Sequence, residues 1–487
     1  MIPDLGPITI EKKVPSLQTP KKSVAWRLRT AEQRFLLVTG DLVAGGVAVM
    51  IALFLWSLRD WERFSPIFLQ FRAQAWFYFL PLLWVVLLVE TYDIHRAHRR
   101  DETLKGVGIA ALVCLGVYLL IFFYYKDTEL PRLAVIYFII GASILTLAWR
   151  FMFIAIFTAP QFMRRILVIG AGKSGTSLLK VYNETSPSPF YLAGLIDDDP
   201  QKQGTMIENH RILGGSDQLL SIVQSESITD LVVAISGEMN GNLFQALIDA
   251  QEHGVEITTM QVIYEELLSR VPIYQLESDW IIRSFMDQAR TNSFYEVIKR
   301  FLDALGGLIG TVCTFFIFPF ISIAIILDSG FPVFFTQGRI GRRGQIYKII
   351  KFRTMYQDAE KDGFVRVTTQ NDERITRVGM FLRKSHLDEL PQFINVLLGE
   401  MSLVGPRAER FELVEELQKY IPFYRARLLV KPGITGWAQI NFGYAATIED
   451  TAVKLEYDLF YIKHRNLLMD GVILLRTVGT VIGFRGT

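Results

Sequence analysis

The chain has 487 residues, 51% hydrophobic and 21% charged, with 51 Lys and Arg against 49 Asp and Glu. A mean hydropathy of +0.28 excludes both an ordinary soluble enzyme and a protein that is membrane helix throughout, and the length predicts roughly three units at ~150 residues each. Its two cysteines, Cys114 and Cys313, lie far apart in separate apolar runs, which excludes a disulfide framework or a cysteine zinc site and fits a reducing, cytoplasm-facing protein.

Residues 1–34 read as a cytoplasmic N-terminal tail. They carry Lys12, Lys13, Lys21, Lys22, Arg27 and Arg29 between prolines and lack the apolar core and cleavage site of a secretory signal. Residues 35–160 read as a four-helix transmembrane bundle, with spans at about 35–56, 74–92, 104–125 and 132–157, each close to the ~20 residues needed to cross hydrocarbon. The basic tail, Arg96, Arg99 and Arg100 after the second span, and Arg164 and Arg165 after the fourth place positive charge on one side, which is the cytoplasm. Asp41 and Glu90, in or near spans, read as packing or interfacial carboxyls rather than functional groups.

Residues 161–290 change character. Arg165 to Ile169 reads as a buried strand, followed by Gly170, Gly172 and Gly175 in G-x-G-x-x-G spacing and an amphipathic helix. A second strand from Tyr191 to Ile196 ends in Asp197, Asp198 and Asp199, and β-rich runs recur at Leu231–Ile235 and Val255–Thr259. The alternation predicts a Rossmann-like, doubly wound α/β domain. The three glycines are candidate cofactor-binding positions for a dinucleotide pyrophosphate, although the turn and the helix-on-strand packing need them without any ligand, and a bound dinucleotide is not the favoured reading. Gly172-Lys173-Ser174 is not the end of a P-loop, because Leu167 occupies the earlier glycine position. Tyr295 and Lys299 have the spacing of a dehydrogenase or epimerase pair, a short pattern easily met by chance.

Residues 291–487 hold a further apolar run, Ala304–Leu327. Lys299 and Arg300 precede it, and Arg339, Arg342, Arg343, Lys348, Lys351 and Arg353 follow it, so both ends read as cytoplasmic. Pro319 favours a kink, since a straight helix would lose a backbone bond there at a cost of ~3 kcal/mol. The expectation is a re-entrant, kinked helix over about 297–327.

The stretch from Arg339 to Arg353 holds six Lys or Arg and no carboxylate. It reads both as an anionic-lipid contact and as a phosphate-binding strand. In the run Leu382 to Gln392, the adjacent Asp388 and Glu389 lie just before Pro391, hence near a helix N-terminus. Two readings stand: Ser385 and Asp388 have capping-box spacing, or the helix end and Arg383 hold a phosphate beside Asp388, so that one carboxylate attacks phosphorus while its neighbour helps hold a magnesium ion. Gly405-Pro406-Arg407 is another candidate phosphate clamp, and the Lys431–Trp437 loop ends in an aromatic that could flank a base or sugar.

The ordered motifs Lys351-Phe352-Arg353-Thr354-Met355, Leu387 to Gln392, Met401 to Arg407 and Lys431 to Gln439, following a proline-kinked membrane helix, resemble the polyprenyl-phosphate sugar-1-phosphate transferases, the monotopic phosphoglycosyl transferases of bacterial glycan assembly. The bundle and α/β domain resemble the large form of that family. The resemblance implies that Asp388 is a nucleophile on the sugar-linked phosphate of a UDP-sugar, that Glu389 assists with magnesium or protons, and that undecaprenyl phosphate takes the phosphosugar after UMP leaves. Lys351, Arg353, Arg383 and Arg407 fall on the family's basic positions, and Asp458 and Asp470 on its downstream aspartates.

His386, Ala408 and Asn441 to Tyr444 depart from the family pattern, which bears on sugar and nucleotide preference. The expected fold is membrane α plus α/β, in the bacterial inner membrane, with the catalytic domain in the cytoplasm. The expected partners are the UDP-sugar, undecaprenyl phosphate and membrane lipid, with no nucleic acid; a homodimer stays open. The rival readings are a membrane-bound nucleotide-sugar oxidoreductase or epimerase, and a non-catalytic scaffold whose carboxylates cap a helix.

Overall fold

The computed structural model describes residues 30–59, 63–71, 75–92, 97–124, 132–157, 163–186, 188–235, 237, 239–276, 293–357, 372–443 and 447–482. The basic residues of the tail up to Arg29, and Arg96, lie outside them.

The N-terminal bundle contains α1 (Thr30–Ser57), α2 (Pro66–Phe71), α3 (Leu80–Leu87), α4 (Arg100–Tyr124) and α5 (Arg132–Phe157). Four described helices are long and apolar enough to cross a membrane: Glu32–Ser57, Arg100–Leu119, Arg132–Phe157 and Phe294–Ser329. The stretch 74–92, expected as one span, is broken into a 3-10 turn (Ala75–Phe79), α3 and a second 3-10 turn (Val89–Tyr92). Pro81 in the first turn of α3 has no N–H to continue the preceding helix, so a new helix starts there. The bundle closes on fully buried Trp84, whose Nε1 donates to Thr146 Oγ1 at 3.0 Å. Asp41 of α1 and Arg150 of α5, both buried, pair at 2.6 Å, so Asp41 is a packing carboxyl whose charge is matched within the bundle.

The α/β domain is a six-stranded sheet in the order β3-β4-β2-β1-β5-β6. Its strands are β1 (Arg164–Ile169), β2 (Phe190–Ile196), β3 (Met206–Ile207), β4 (His210–Gly214), β5 (Asp230–Val233) and β6 (Glu256–Thr259). All pairings are parallel except β3 with β4, a short hairpin that the sequence pattern did not signal. Successive side chains of β1 point to opposite faces. Ile166 and Val168 join one core with Leu178 of α6 (Lys173–Glu184) and Met260 and Ile263 of α9 (Met260–Leu268). Leu167 and Ile169 join the other, with Leu219 and Ile222 of α7 (Leu219–Ser225) and Leu247 of α8 (Gly241–Glu252). Burial on both faces explains why β1 reads as an unbroken apolar run. Arg164 pairs with Asp230 and Glu266, and Arg165 with Glu226, so these two arginines are spent within the domain.

The C-terminal part opens with α10 (Ser293–Ser329), 37 residues continuous through Pro319 and thus ~55 Å long. The hairpin β7 (Phe334–Ile340) and β8 (Ile346–Phe352) follows, then α11 (Arg377–Lys384), a 3-10 turn (Leu387–Glu389), α12 (Gln392–Leu398) and β9 (Ser402–Val404). Next come α13 (Phe411–Leu417), β10 (Gly433–Thr435), α14 (Trp437–Asn441), α15 (Ile448–His464) and α16 (Leu467–Ile482). Near the start of α10, Arg300 donates to the Val396 and Leu397 carbonyls, both at 2.9 Å, and Asp303 accepts from the Leu403 N–H at 2.9 Å. At its far end Asp328 accepts from the Val378 N–H at 2.9 Å. Beyond Pro319, Ile321 and Ile325 pack on Val333, Phe352 and Leu382 while Phe320 and Leu327 stay exposed, as do Phe315 and Phe316 before it.

Candidate active site

The site forms where β8 passes the 3-10 turn. Gly379 lets α11 lie against the preceding chain, since a Cβ there would sit 2.1 Å from the Thr354 carbonyl oxygen. Thr376 starts α11 by accepting from the Gly379 N–H at 2.9 Å, and Ser385 closes it by donating to the Phe381 carbonyl at 2.8 Å. The chain then reverses at His386, which takes a left-handed conformation (φ 57°), and Leu387 and Leu390 anchor the turn in the core with Phe352 and Leu382. Asp388 and Glu389 are thereby held between two apolar anchors. The capping-box reading fails here: α12 is capped by Pro391 with no side-chain bond, and Ser385 serves the end of α11.

Two cations from separate elements converge on one oxygen. Lys351 Nζ lies 2.7 Å and Arg407 Nη2 2.8 Å from Glu389 Oε1. Burial alone would raise the Glu389 pKa, but Arg407 and Lys351 outweigh it and hold the carboxyl well below its ordinary range. Asp388, 9% exposed, behaves in the opposite way. Burial and the Glu389 charge push it up to about 6, against the pull of Lys351, Arg407 and Arg383. Adjacent carboxylates thus differ in role: Glu389 is a fixed anion, and Asp388 is buried and near the edge of ionisation at neutral pH.

The other candidate residues fall elsewhere. Arg383, in the last turn of α11, is near enough for its charge to act on Asp388. Arg353 is turned away and caps α10, donating through Nη2 to Ser329 Oγ and the Ser329 carbonyl, each at 2.9 Å, and to the Gly330 carbonyl. Asp458 lies behind Arg407: it accepts from Arg427 Nη2 at 2.9 Å, and the same nitrogen donates to the Arg407 carbonyl at 3.0 Å. Asp470 accepts from Tyr295, Lys299 and Tyr461 at 2.8 to 2.9 Å, so the tyrosine and lysine of the dehydrogenase-like spacing both bind one buried carboxylate. Arg427 is the residue that sequence reasoning missed; its only signal was its place four residues before Lys431 in the glycine-punctuated loop.

Trp437 is likewise not free to flank a sugar. Its Nε1 donates to the Ser269 carbonyl at 2.9 Å and its ring stacks on Phe460, docking the α/β domain onto the C-terminal part. In the α/β domain, Gly170 has φ +103°, and a Cβ on Gly175 would lie 2.1 Å from the Gly170 carbonyl oxygen, so turn and packing account for both. A Cβ on Gly172, which caps α6, would meet nothing within 4 Å. Asp197, placed where a ribose hydroxyl would be taken, instead accepts from the Ala171 N–H at 2.8 Å and pairs with Lys202.

A bacterial sugar transferase family model matches residues 294–484, which include every element of this site. Among curated proteins, the UDP-glucose:undecaprenyl-phosphate glucose-1-phosphate transferase of Klebsiella pneumoniae is 33% identical over 324 residues, 65% of this chain and 67% of that protein. The chain belongs to the bacterial sugar transferase family. Within it, the UDP-N-acetylgalactosamine-undecaprenyl-phosphate N-acetylgalactosaminephosphotransferase of Aeromonas hydrophila is 38% identical over 228 residues, 47% of this chain and 52% of that protein. The UDP-glucose:undecaprenyl-phosphate glucose-1-phosphate transferase of Xanthomonas campestris is 31% identical over 273 residues, 56% of each. The chain thus spans about half the length of these last two sugar transferases. A CoA-binding domain family model matches residues 87–260, from the end of α3 through α4, α5 and the six-stranded sheet.

Proposed function

We propose that the chain transfers a sugar 1-phosphate from a UDP-sugar to undecaprenyl phosphate, the initiating step of an exopolysaccharide, capsule or O-antigen repeat. The observation that carries this is the buried Asp388 beside an anion, Glu389, that two cations hold ionised. In the first half-reaction an Asp388 carboxylate oxygen attacks the sugar-linked phosphorus. The bond to the bridging oxygen breaks, and UMP leaves with the electron pair. In the second, a phosphate oxygen of the lipid attacks the same phosphorus and restores the carboxylate. Arg407 and Arg383 are placed to offset charge on the donor's phosphates, and Lys351 to hold Glu389.

Magnesium fits the donor set. Asp388 and Glu389 would hold it, with Glu389 Oε2 left over because both cations take Oε1. No group of three His, Cys, Asp or Glu able to hold a metal gathers among the described residues, which suits an ion that completes its shell with substrate phosphate oxygens. Bound there, it would neutralise charge on the leaving phosphate.

The chain works at the cytoplasmic face of the inner membrane, and α10 enters and leaves the bilayer on that face. Supporting this, bonds to Leu403 and Val396 near its start and to Val378 at its end tie both ends to the same folded part. The α/β domain has a Rossmann-like strand order, and we favour no dinucleotide there because Asp197 is spent on Ala171 and Lys202.

The test is turnover: detergent-purified protein with magnesium, undecaprenyl phosphate and a panel of UDP-sugars should release UMP and form sugar-diphosphoryl lipid with at least one donor. Folded protein silent across the panel would reject the reading.

A further inference from the structure

We propose that Asn395 is a positioning residue for the transfer proposed above, on which its role rests: its buried carboxamide stands in for a missing third strand and fixes the strand that presents Lys351 to Glu389. The β7–β8 hairpin is a two-stranded sheet, so every second N–H and C=O of β8 faces away from β7 and needs another partner. The register pairs Phe335 with Lys351, Gln337 with Ile349 and Arg339 with Tyr347. The Arg353 N–H continues that odd-numbered set by bonding the Val333 carbonyl. Lys348 and Ile350 therefore turn their backbone groups outward.

Asn395 meets both. Its Oδ1 accepts from the Ile350 N–H at 3.2 Å, and its Nδ2 donates to the Lys348 carbonyl at 2.8 Å and to Glu400 Oε2 at 2.7 Å. A carboxamide offers the donor and acceptor of a peptide group, so it completes the edge as a neighbouring strand would. Asn395 is 1% exposed and sits on α12, the helix entered directly from Asp388 and Glu389. The 3-10 turn carries the carboxylates, and the helix that follows it clamps, through Ile350, the backbone beside Lys351. Asn395 reaches Lys351 only through that backbone, which makes it a positioning group and not a catalytic residue.

No other standard side chain reproduces the arrangement. Aspartate keeps the acceptor but loses both donors and faces Glu400, alanine leaves the Ile350 N–H and the Lys348 carbonyl without this partner, and glutamine carries its carboxamide one methylene further from the backbone of α12.

The test measures UMP release by the full-length protein in four forms: wild type, Asn395→Ala, Lys351→Met and the double variant, with Asn395→Asp as an isosteric form should the alanine variant fail to fold. In the wild-type background Asn395→Ala or Asn395→Asp should lower kcat roughly 10- to 100-fold while KM for the UDP-sugar stays within about twofold. In the Lys351→Met background the same change should cost less than about twofold, because the group it positions is gone. Equal losses in the two backgrounds, or a loss confined to KM, would overturn the role while leaving the reaction intact. A wild-type protein that releases no UMP with any donor would overturn both.

Discussion

Lys351 on β8 and Arg407 after β9 bond the same oxygen of Glu389, at 2.7 and 2.8 Å. A carboxylate flanked this closely by two cations stays ionised despite burial, and each cation would be left without its counter-charge if the carboxylate were lost. Glu389→Gln should therefore lower kcat by about 10²-fold or more while the protein stays folded. Steady-state UMP release beside a melting curve checks this, and activity within a few-fold of wild type would show that the fixed anion is dispensable.

Arg427 joins Asp458 to the Arg407 carbonyl, and both side chains of the pair are buried. Removing Asp458 leaves the buried Arg427 with Glu409, 3.6 Å away, as its remaining counter-charge, at a cost of about 1–3 kcal/mol. Asp458→Leu should be destabilised by that order in chemical unfolding and lose activity with it. Asp458→Leu with Arg427→Met, similar in bulk, should recover much of the stability but not the activity, because the Arg407 backbone then lacks its support. Full recovery of both would show that Arg427 has no part in holding the site.

What the sequence revealed followed from how local each signal is. The Asp388-Glu389 pair, Lys351 and Arg407 stand in contiguous motifs whose chemistry is carried by residue type, and the structure gathers them within bonding reach around Glu389. Arg353, Asp458 and Asp470 stand in motifs just as distinct, yet their contacts are made with Ser329, Arg427, Tyr295 and Lys299. A charge facing a substrate and a charge facing a buried partner look alike until distant segments are brought together. The unbroken apolar run of β1 was legible because both faces of the sheet are covered. The break at Pro81 was not, because length and hydropathy alone cannot separate one span from an apolar run of three short pieces.

The contact between the α/β domain and the C-terminal part contains Glu456, which burial pushes up to about 7 against the pull of Arg270 and Tyr264. Between pH 4.5, its ordinary pKa, and about 7 the folded protein holds a proton that the unfolded chain has released. Its contribution is therefore fully present below about 4.5 and is lost as pH rises towards 7, by on the order of 3 kcal/mol. Glu456→Gln should flatten that part of the stability profile and stabilise the protein at pH 8. Unfolding midpoints of the two proteins from pH 5 to 8 decide the matter, and parallel profiles would contradict the assignment.

Asp41 and Arg150 form an ion pair inside the bundle at 2.6 Å. Arg150→Leu alone should weaken the detergent-solubilised protein by about 3–5 kcal/mol, and Asp41→Leu with Arg150→Leu should come within about 1–2 kcal/mol of wild type. Thermal unfolding of the three proteins reads this. A double variant as weak as the single would mean that the pair does more than neutralise itself.

That Asp388 carries the phosphosugar is tested most directly without any acceptor. Protein mixed with the active UDP-sugar and magnesium, and no undecaprenyl phosphate, should release close to one UMP per chain in a burst, gain the mass of one hexose phosphate on the peptide that contains Asp388, and do neither as Asp388→Asn. UMP formed only when the lipid is added, with no change in protein mass, would contradict the account and point to direct transfer between the two substrates.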